Sequence, residues 1–479
     1  MMEVDVKKGE PLPFEHGACA GKGVCGKCKI RVVEGSLPVV EAEARLLTKR
    51  EQAGGIRLAC CHGLAPEDLR VEVEEADASF QIVGNACRQY RSGGETGFAV
   101  AVDIGTTTVA LNVIHLQTGR IEKEALFLNP QRRFGADVLS RVDAARTVGL
   151  DALQKPLLAC IERELRHVSN IKRMTVCGNP VMTHLFMGVD PASIGQAPYR
   201  CAITTYRELD AGKLFEHLEG FVVQVLPPIS GYVGSDVLMD LYETRLEDGL
   251  LVDLGTNGEL ALALNGQIWV SSAACGPAFE GGSLSCGSGA CAGAVDQVWY
   301  EEGWRFHTIG GGEAKSVCGS GYISWLAAAV QEGFIDESGR LETDLTLNGE
   351  IRLTQNDVRA FQMAKGALAA AIEVLCVRAG TRVADLKTIQ IAGGFGRHLA
   401  GDDLLALGFF SQASERALEM TGNVALQGAV RFAIEQDLET VGNIVKTAEP
   451  VLMATDPLFL EAFVNHMGFG KSVHIDRNS

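Results

Sequence analysis

The sequence predicts a small α+β module followed by a two-lobed α/β unit, and three observations predict it. Residues 1–82 alternate short strand patterns with one short helix. A polar, glycine-rich stretch, ACRQYRSGGETG, then reads as a linker over residues 83–97. Beyond it, two distant apolar strands each run into Asp-x-Gly-Thr, which divides the remainder into lobes at 98–248 and 249–479. A chain of 479 residues is too long for one core, so several units are expected on length alone.

Bulk composition narrows the function. Apolar residues make up 47% and charged residues 22%, an ordinary globular balance. The formal net charge of −17 argues against a nucleic-acid partner, because binding phosphate backbones takes clustered Lys and Arg. No apolar run reads as a membrane span, and MMEVDVKKGEPLP lacks an apolar export core, so a cytoplasmic protein is expected. The 14 cysteines are then expected as free thiols or metal ligands rather than disulfides.

In the N-terminal module, CAGKGVCGKC places Cys19, Cys25 and Cys28 on one glycine-rich loop. KIRVVEG follows as a strand ending at Gly35. SLPVVEAEARLLTKREQAGG has an irregular start, a short helix and a Gly54-Gly55 stop. IRLACC reads as a second strand and LRVEVEE as a third, alternating at Leu69, Val71 and Val73. The fourth thiolate should be Cys60 or Cys61, which on a strand would face opposite ways. Four thiolates suit zinc or an iron–sulfur cluster. Structural zinc usually takes two C-x2-C knuckles, and the second is missing here. A long glycine-rich loop before C-x2-C and one distant cysteine is instead the layout of a [2Fe–2S] ferredoxin.

C-x5-C-x2-C followed by R-L-A-C resembles ferredoxins of the adrenodoxin spacing class. The resemblance implies a ferredoxin-like β-grasp domain with Cys19, Cys25, Cys28 and Cys60 as cluster ligands. Cys61 stands where that family typically has a polar residue.

FAVAVDIGTTTVALNVI and GLLVDLGTNGELALAL align Asp103 with Asp253, Gly105 with Gly255 and Thr106 with Thr256. In such a turn glycine lets the backbone approach a phosphate. Hydroxyls and exposed N–H groups donate to its oxygens, and the Asp can hold a hydrated Mg²⁺ beside them. The candidate phosphate-binding residues are Gly105, Thr106, Thr107, Thr108, Gly255, Thr256, Asn257 and Gly258. A third element, TIQIAGGFGRHL, runs from an apolar strand into Gly393, Gly394 and Gly396, a turn suited to a flat base or ribose, and then a helix.

Three motifs in this order resemble the phosphate-1, phosphate-2 and adenosine motifs of the actin/hexokinase/heat-shock-chaperone superfamily. The resemblance implies two ribonuclease-H-like halves with ATP between them. Before phosphate-2 that superfamily has a crossing helix whose start often carries a water-orienting polar residue. Here PPISGYVGSDVLMDLYETR offers Asp236, which could equally do no more than cap the helix.

Other segments read as structural. NDVRAFQMAKGALAAAIEVLCVRAG has an Asn356 cap, an apolar stripe and a Gly380 stop. DPLFLEAFVNHMGF, about residues 456–469, is the expected final helix, packing back on the first lobe. Cys275, Cys286, Cys291 and Cys318 match no cluster spacing.

A ferredoxin module fused to such an ATPase resembles the reductive activators of corrinoid proteins. NPQRRFGADVLSRV, CGNPVMTHLFMG, LPPISGYVGSDV, CGSGYISWL and IAGGFGRHL look like that family's recurrent blocks. The resemblance implies ATP-dependent reduction of cob(II) to cob(I) on a corrinoid protein or corrinoid-dependent methyltransferase. It also implies an external low-potential electron donor and leaves a homodimer open. Larger members carry a domain between the cluster module and the ATPase. Only a linker is read there, which implies a short form lacking that middle domain. The alternative from another class is a small-molecule kinase or ATPase of the same fold whose cluster senses redox state.

Overall fold

The structure, a computed structural model, describes residues 2–10, 12–13, 26, 28–62, 64–73, 90, 94–282, 284–394 and 399–469. The first sheet holds β1 (Met2–Val6), β2 (Lys29–Glu34), β3 (Ile56–Leu58) and β4 (Leu69–Val73) in the order β1-β4-β2-β3, with antiparallel pairing throughout. The alternation in β4 buries Leu69, Val71 and Val73 against Val6, Leu12, Ile30 and Leu37. IRLACC is only half strand. After Leu58 the chain turns into a helical turn, Ala59–His62, so Cys60 and Cys61 do not alternate across a sheet.

The second sheet comprises β5 (Phe98–Ile104), β6 (Thr108–His115), β7 (Arg120–Leu128), β8 (Ile171–Gly178), β9 (Arg207–Asp210) and β10 (Val222–Val225). Its order is β7-β6-β5-β8-β10-β9. β5, β6 and β7 form an antiparallel meander, while β8 runs parallel to β5 and β10 parallel to β8. Residues 99–102 of β5 are buried on both faces, which explains their unbroken apolar run.

β11 (Gly249–Leu254), β12 (Gly258–Leu264) and β13 (Gln267–Ala273) begin a third sheet with the same wiring. Two small sheets follow, of β14 (Ala294–Tyr300), β15 (Trp304–Thr308) and β16 (Ser316–Val317), and of β17 (Leu345–Asn348) and β18 (Ile351–Leu353). β19 (Thr388–Ala392), β20 (Leu418–Gly422) and β21 (Ala448–Pro450) complete the third sheet in the order β20-β19-β11-β12-β13-β21. As in the second sheet, the first strand lies between an antiparallel meander and two successive parallel strands. The repeated Asp-x-Gly-Thr thus marks the same β-hairpin in both sheets.

Helix Gln355–Ala379 is capped by Thr354, with Asp357 closing the capping box, two residues earlier than the Asn356 cap expected from sequence. Gly380 ends it in the left-handed region, φ 69°. By length and composition this helix could span a membrane, contrary to the sequence expectation. Its apolar window is 78% buried inside the protein, which marks it as the core helix of the third sheet.

The final helix, Phe459–Asn465, does not pack on the first lobe as expected. It lies on Gln355–Ala379, where the Lys365 Nζ donates to His466 O at 2.9 Å and His466 Nε2 meets Glu373 Oε2 at 2.6 Å. The helix that returns to the second sheet is Val424–Glu435. It follows β20 directly and buries Ala429, Val430, Phe432 and Ala433 against β5, β8 and helix Ser235–Thr244.

Candidate functional site

At the N-terminal end, Cys28 directly precedes β2 and Cys60 sits in the turn after β3. Their sulfurs are 3.1 Å apart, far beyond the 2.05 Å of a disulfide and suited to two thiolates converging on one metal. Cys61 packs in the same small cluster with Leu47, Leu58 and Ile56. The turn is braced by Glu43, a fully buried carboxylate that accepts from Leu58 N–H at 2.5 Å and faces His62 Nε2 at 2.9 Å. Cys19 and Cys25 lie outside the described residues.

The two Asp-x-Gly-Thr hairpins meet. Thr107 Oγ1 is 2.9 Å from Thr256 Oγ1, although 149 residues separate them. The first loop is held from behind by groups that sequence reading did not single out. Asn129 Nδ2 donates to Gly105 O at 2.8 Å, and Thr107 O accepts from Asn129 N–H at 2.9 Å. Arg141, fully buried, donates to Thr106 O and, at 3.1 Å, to Gly135 O. These bonds satisfy loop carbonyls and leave Thr107 turned toward the second loop. There Gly255 N–H donates to Asn257 O at 3.0 Å across the turn. Thr106 and Thr256 are buried, while Thr108 and Gly258 already belong to β6 and β12.

Asp103 and Asp253, at the ends of β5 and β11, lie beside a third carboxylate from the crossing helix Ser235–Thr244. Gly234 is the N-cap of that helix, so Asp236 is not its cap residue. Its Oδ1 accepts from the neighbouring Val237 N–H, at 2.9 Å. Ser235 Oγ bonds both the N–H and the carbonyl of Gly178, which ties the helix start to the end of β8. Burial, then the Asp236 charge, pushes Asp103 up to about 7, against an opposing hydrogen bond from Asn423. Burial, then Asp103, Asp236 and Glu280, pushes Asp253 up to about 8. Burial raises Asp236 to about 6 against the pull of backbone N–H groups. Asp240, one turn further along, and Glu259 of β12 are driven well above the usual carboxylate range, first by burial and then by their acidic neighbours. Shared negative charge in a dry place favours protons or a cation.

The third motif touches the second. Gly393 has φ +122°, and a Cβ there would stand 2.3 Å from Leu254 O and 3.0 Å from Asp253 Oδ1, so only glycine fits. Its N–H donates to Gly422 O at 3.0 Å. The next residue, Asn423, caps helix Val424–Glu435 and donates from Nδ2 to Asp103 Oδ2 at 3.2 Å. A Cβ at Gly394 would meet nothing within 4 Å. Gly396 lies outside the described residues.

Sequence reasoning missed Glu280, Asn423, Asp240, Asn129 and Arg141. TGN before an apolar helical run is an N-cap signal that could have found Asn423. For the others, nothing local in the sequence shows that they face a loop far away.

Three family profiles cover the chain: a 2Fe-2S iron-sulfur cluster binding domain over residues 11–64, the RACo middle region over 98–249, and the C-terminal domain of RACo, the ASKHA domain, over 247–475. The second corrects the expected short form. The middle region is present, and it is the unit read from sequence as the first ATPase lobe, because its leading hairpin carries the same motif as the C-terminal sheet. The corrinoid activation enzyme RamQ of Eubacterium limosum is 30% identical over 427 residues, covering 79% of this chain and 71% of RamQ. The [Co(II) methylated amine-specific corrinoid protein] reductase of Methanosarcina barkeri is 28% identical over 417 residues, 78% of this chain and 77% of its own. A solved reductive activator for corrinoid, iron-sulfur protein superposes with a TM-score of 0.72 at 25% identity, covering 95% of this chain and 93% of that one. An iron–sulfur domain, a middle region and an ASKHA domain in this order, with the extent of the RamQ match, place the chain in the family of reductive activators of corrinoid proteins.

Proposed function

We propose that the protein uses ATP to drive one-electron reduction of a corrinoid protein or corrinoid-dependent methyltransferase from cob(II) to cob(I), with electrons from an external low-potential donor. The observation that carries the reading is the meeting of Thr107 and Thr256 at 2.9 Å in a chain whose N-terminal module also brings the Cys28 and Cys60 sulfurs to 3.1 Å. The names of the relatives supply the class of partner.

In this reading Cys19, Cys25, Cys28 and Cys60 hold a [2Fe–2S] cluster in a β-grasp-type module, and the cluster, when bound, supplies electrons one at a time. Thr107 and Thr256 offer hydroxyls to ATP phosphates, the loop N–H groups add backbone donors, and the Gly393-Gly394 turn leaves room for the nucleoside. Asp103 and Asp253 suit Mg²⁺ held through its water shell. Among the described residues no three acidic, His or Cys side chains stand close enough to bind a bare ion. Asp236 would orient a water. Nucleotide can favour a transfer-competent arrangement only through its different affinity for two arrangements of the two sheets.

The test mixes anaerobically purified protein with ATP, a reductant and a cob(II) corrinoid protein and follows the visible spectrum. ATP-dependent appearance of cob(I) is expected. ATP turnover indifferent to the corrinoid protein would instead establish the kinase alternative.

A further inference from the structure

Glu280 belongs to none of the three nucleotide motifs, yet it occupies the point where two of them meet. Its Oε2 lies 2.6 Å from Thr107 Oγ1 and 2.7 Å from Thr256 Oγ1. Each threonine hydroxyl has one proton to give. With both acceptor distances this short, both protons point at the carboxylate, and the 2.9 Å Thr107–Thr256 approach holds neither. One anionic oxygen therefore joins the two loops. A terminal phosphate oxygen makes the same demand, being negative and acceptor-only, so carboxylate and phosphate cannot use these two protons together.

Two further observations fit an anion seat at this point. Arg132, in the turn Pro130–Phe134, is half-buried, and among the described residues its guanidinium makes no hydrogen bond or ion pair. Burial lowers its pKa and the Glu280 charge partly restores it. The segment that carries Glu280 is also anchored. Phe279 is fully buried, with its ring centroid 5.5 Å from that of Phe361 and 5.7 Å from that of Phe409. The carboxylate is thus presented from a backbone anchored at Phe279.

We propose that Glu280 is a built-in stand-in for the terminal phosphate of a nucleoside triphosphate: it clasps Thr107 and Thr256 in the nucleotide-free protein, and the triphosphate must displace it to bind. The proposal rests on the nucleotide reading above and assigns the threonine pair to the third phosphate, so a diphosphate seated by its first two phosphates would leave the Glu280 clasp in place.

The test is calorimetric titration of the full-length, anaerobically purified protein with a non-hydrolysable ATP analogue and with ADP, both with Mg²⁺. Wild type is compared with Glu280→Ala and with the volume-preserving Glu280→Gln, which also covers a failure of the alanine variant to fold. Glu280→Ala should bind the ATP analogue about tenfold tighter or more, the scale of losing charge-assisted hydrogen bonds, and ADP with unchanged affinity. Glu280→Gln should fall between. Unchanged or weaker binding of the ATP analogue, or an equal gain for ADP, would overturn the proposal. If wild type and both variants bind neither nucleotide, the nucleotide reading itself fails.

Discussion

Replacing Asp240 by Asn should stabilise the nucleotide-free protein, and only at higher pH. Asp240 is fully buried on the crossing helix, and neither of its carboxylate oxygens has a hydrogen-bond partner among the described residues. Burial, then Asp253, Asp236, Asp103 and Glu259, raises its pKa well above the ordinary carboxylate range. A carboxyl raised in the folded state holds its proton longer there than in the unfolded chain. The stability it contributes is complete below the unfolded pKa, about 4, and is lost as pH rises toward the folded value. Asp103 and Asp253, raised to about 7 and about 8, carry the same sign over the same window. Asn keeps the shape and leaves an equally unpaired amide, but it removes the charge. The gain is therefore the ionisation-linked part alone, about 1.4 kcal/mol for each pH unit by which the folded pKa exceeds the unfolded one, as far as the working pH expresses it. The variant should therefore gain about 1–3 kcal/mol at pH 8, or roughly 2–12 °C in Tm for units of this size. At pH 5 the gain should largely vanish, because Asp240 is then itself neutral. Scanning calorimetry without nucleotide at both pH values measures this. A Tm at pH 8 no higher than wild type, or an equal gain at both pH values, would refute the electrostatic account.

Three other outcomes are expected. Cys60→Ser should abolish the visible absorption of the iron–sulfur centre and Cys61→Ser should keep it, since Cys60 is the thiol within 3.1 Å of Cys28; the reverse pattern would pass the ligand role to Cys61. Gly393→Ala forces a Cβ to 2.3 Å from Leu254 O at φ +122°, and should cost on the order of 3–4 kcal/mol in thermal unfolding and weaken nucleotide binding; a variant with wild-type stability and affinity would show that the third motif can move freely. Chelating divalent cations should weaken ATP binding at least about tenfold, because the phosphates would otherwise lie beside Asp103, Asp236 and Asp253 unscreened; undiminished binding in EDTA would remove the metal from the scheme.

The strands and the pairing of loops were legible because their signals are local and repeated. VDIGTT and VDLGTN each carry a buried run, a turn and a second run, and both form the predicted hairpin. The cysteine spacing was legible for the same reason. What sequence could not show is how distant segments choose their partners. The helix DPLFLEAFV presents an apolar face that would fit several surfaces; the buried donor Lys365 and the half-buried acceptor Glu373 on the core helix select one. The membrane-like composition of Gln355–Ala379 is likewise decided by what surrounds it. Glu280, in a glycine-rich stretch, gains its place only because Phe279 is locked into an aromatic cluster.

The segment Gly422–Asn423 gives a physical route for coupling that the motifs alone do not contain. Gly422 O holds Gly393, whose backbone runs so close to Leu254 and Asp253 at the end of β11 that no side chain fits between them. Asn423, the next residue, holds Asp103 at the end of β5 and starts the helix that packs on the second sheet. Gly422 and Asn423 therefore reach β5 directly, through the Asn423 side chain on Asp103, and the end of β11 through Gly393, while Thr107, Thr256 and Glu280 join the two loops. If a ligand that changes the contacts of Thr107, Thr256 and Glu280 alters the distance between the two aspartates, Gly422 and Asn423 must either follow or give up one of their two bonds. That makes the junction a candidate two-state element, and double-mutant coupling between Asn423 and Glu280 is the quantity that decides whether it is one.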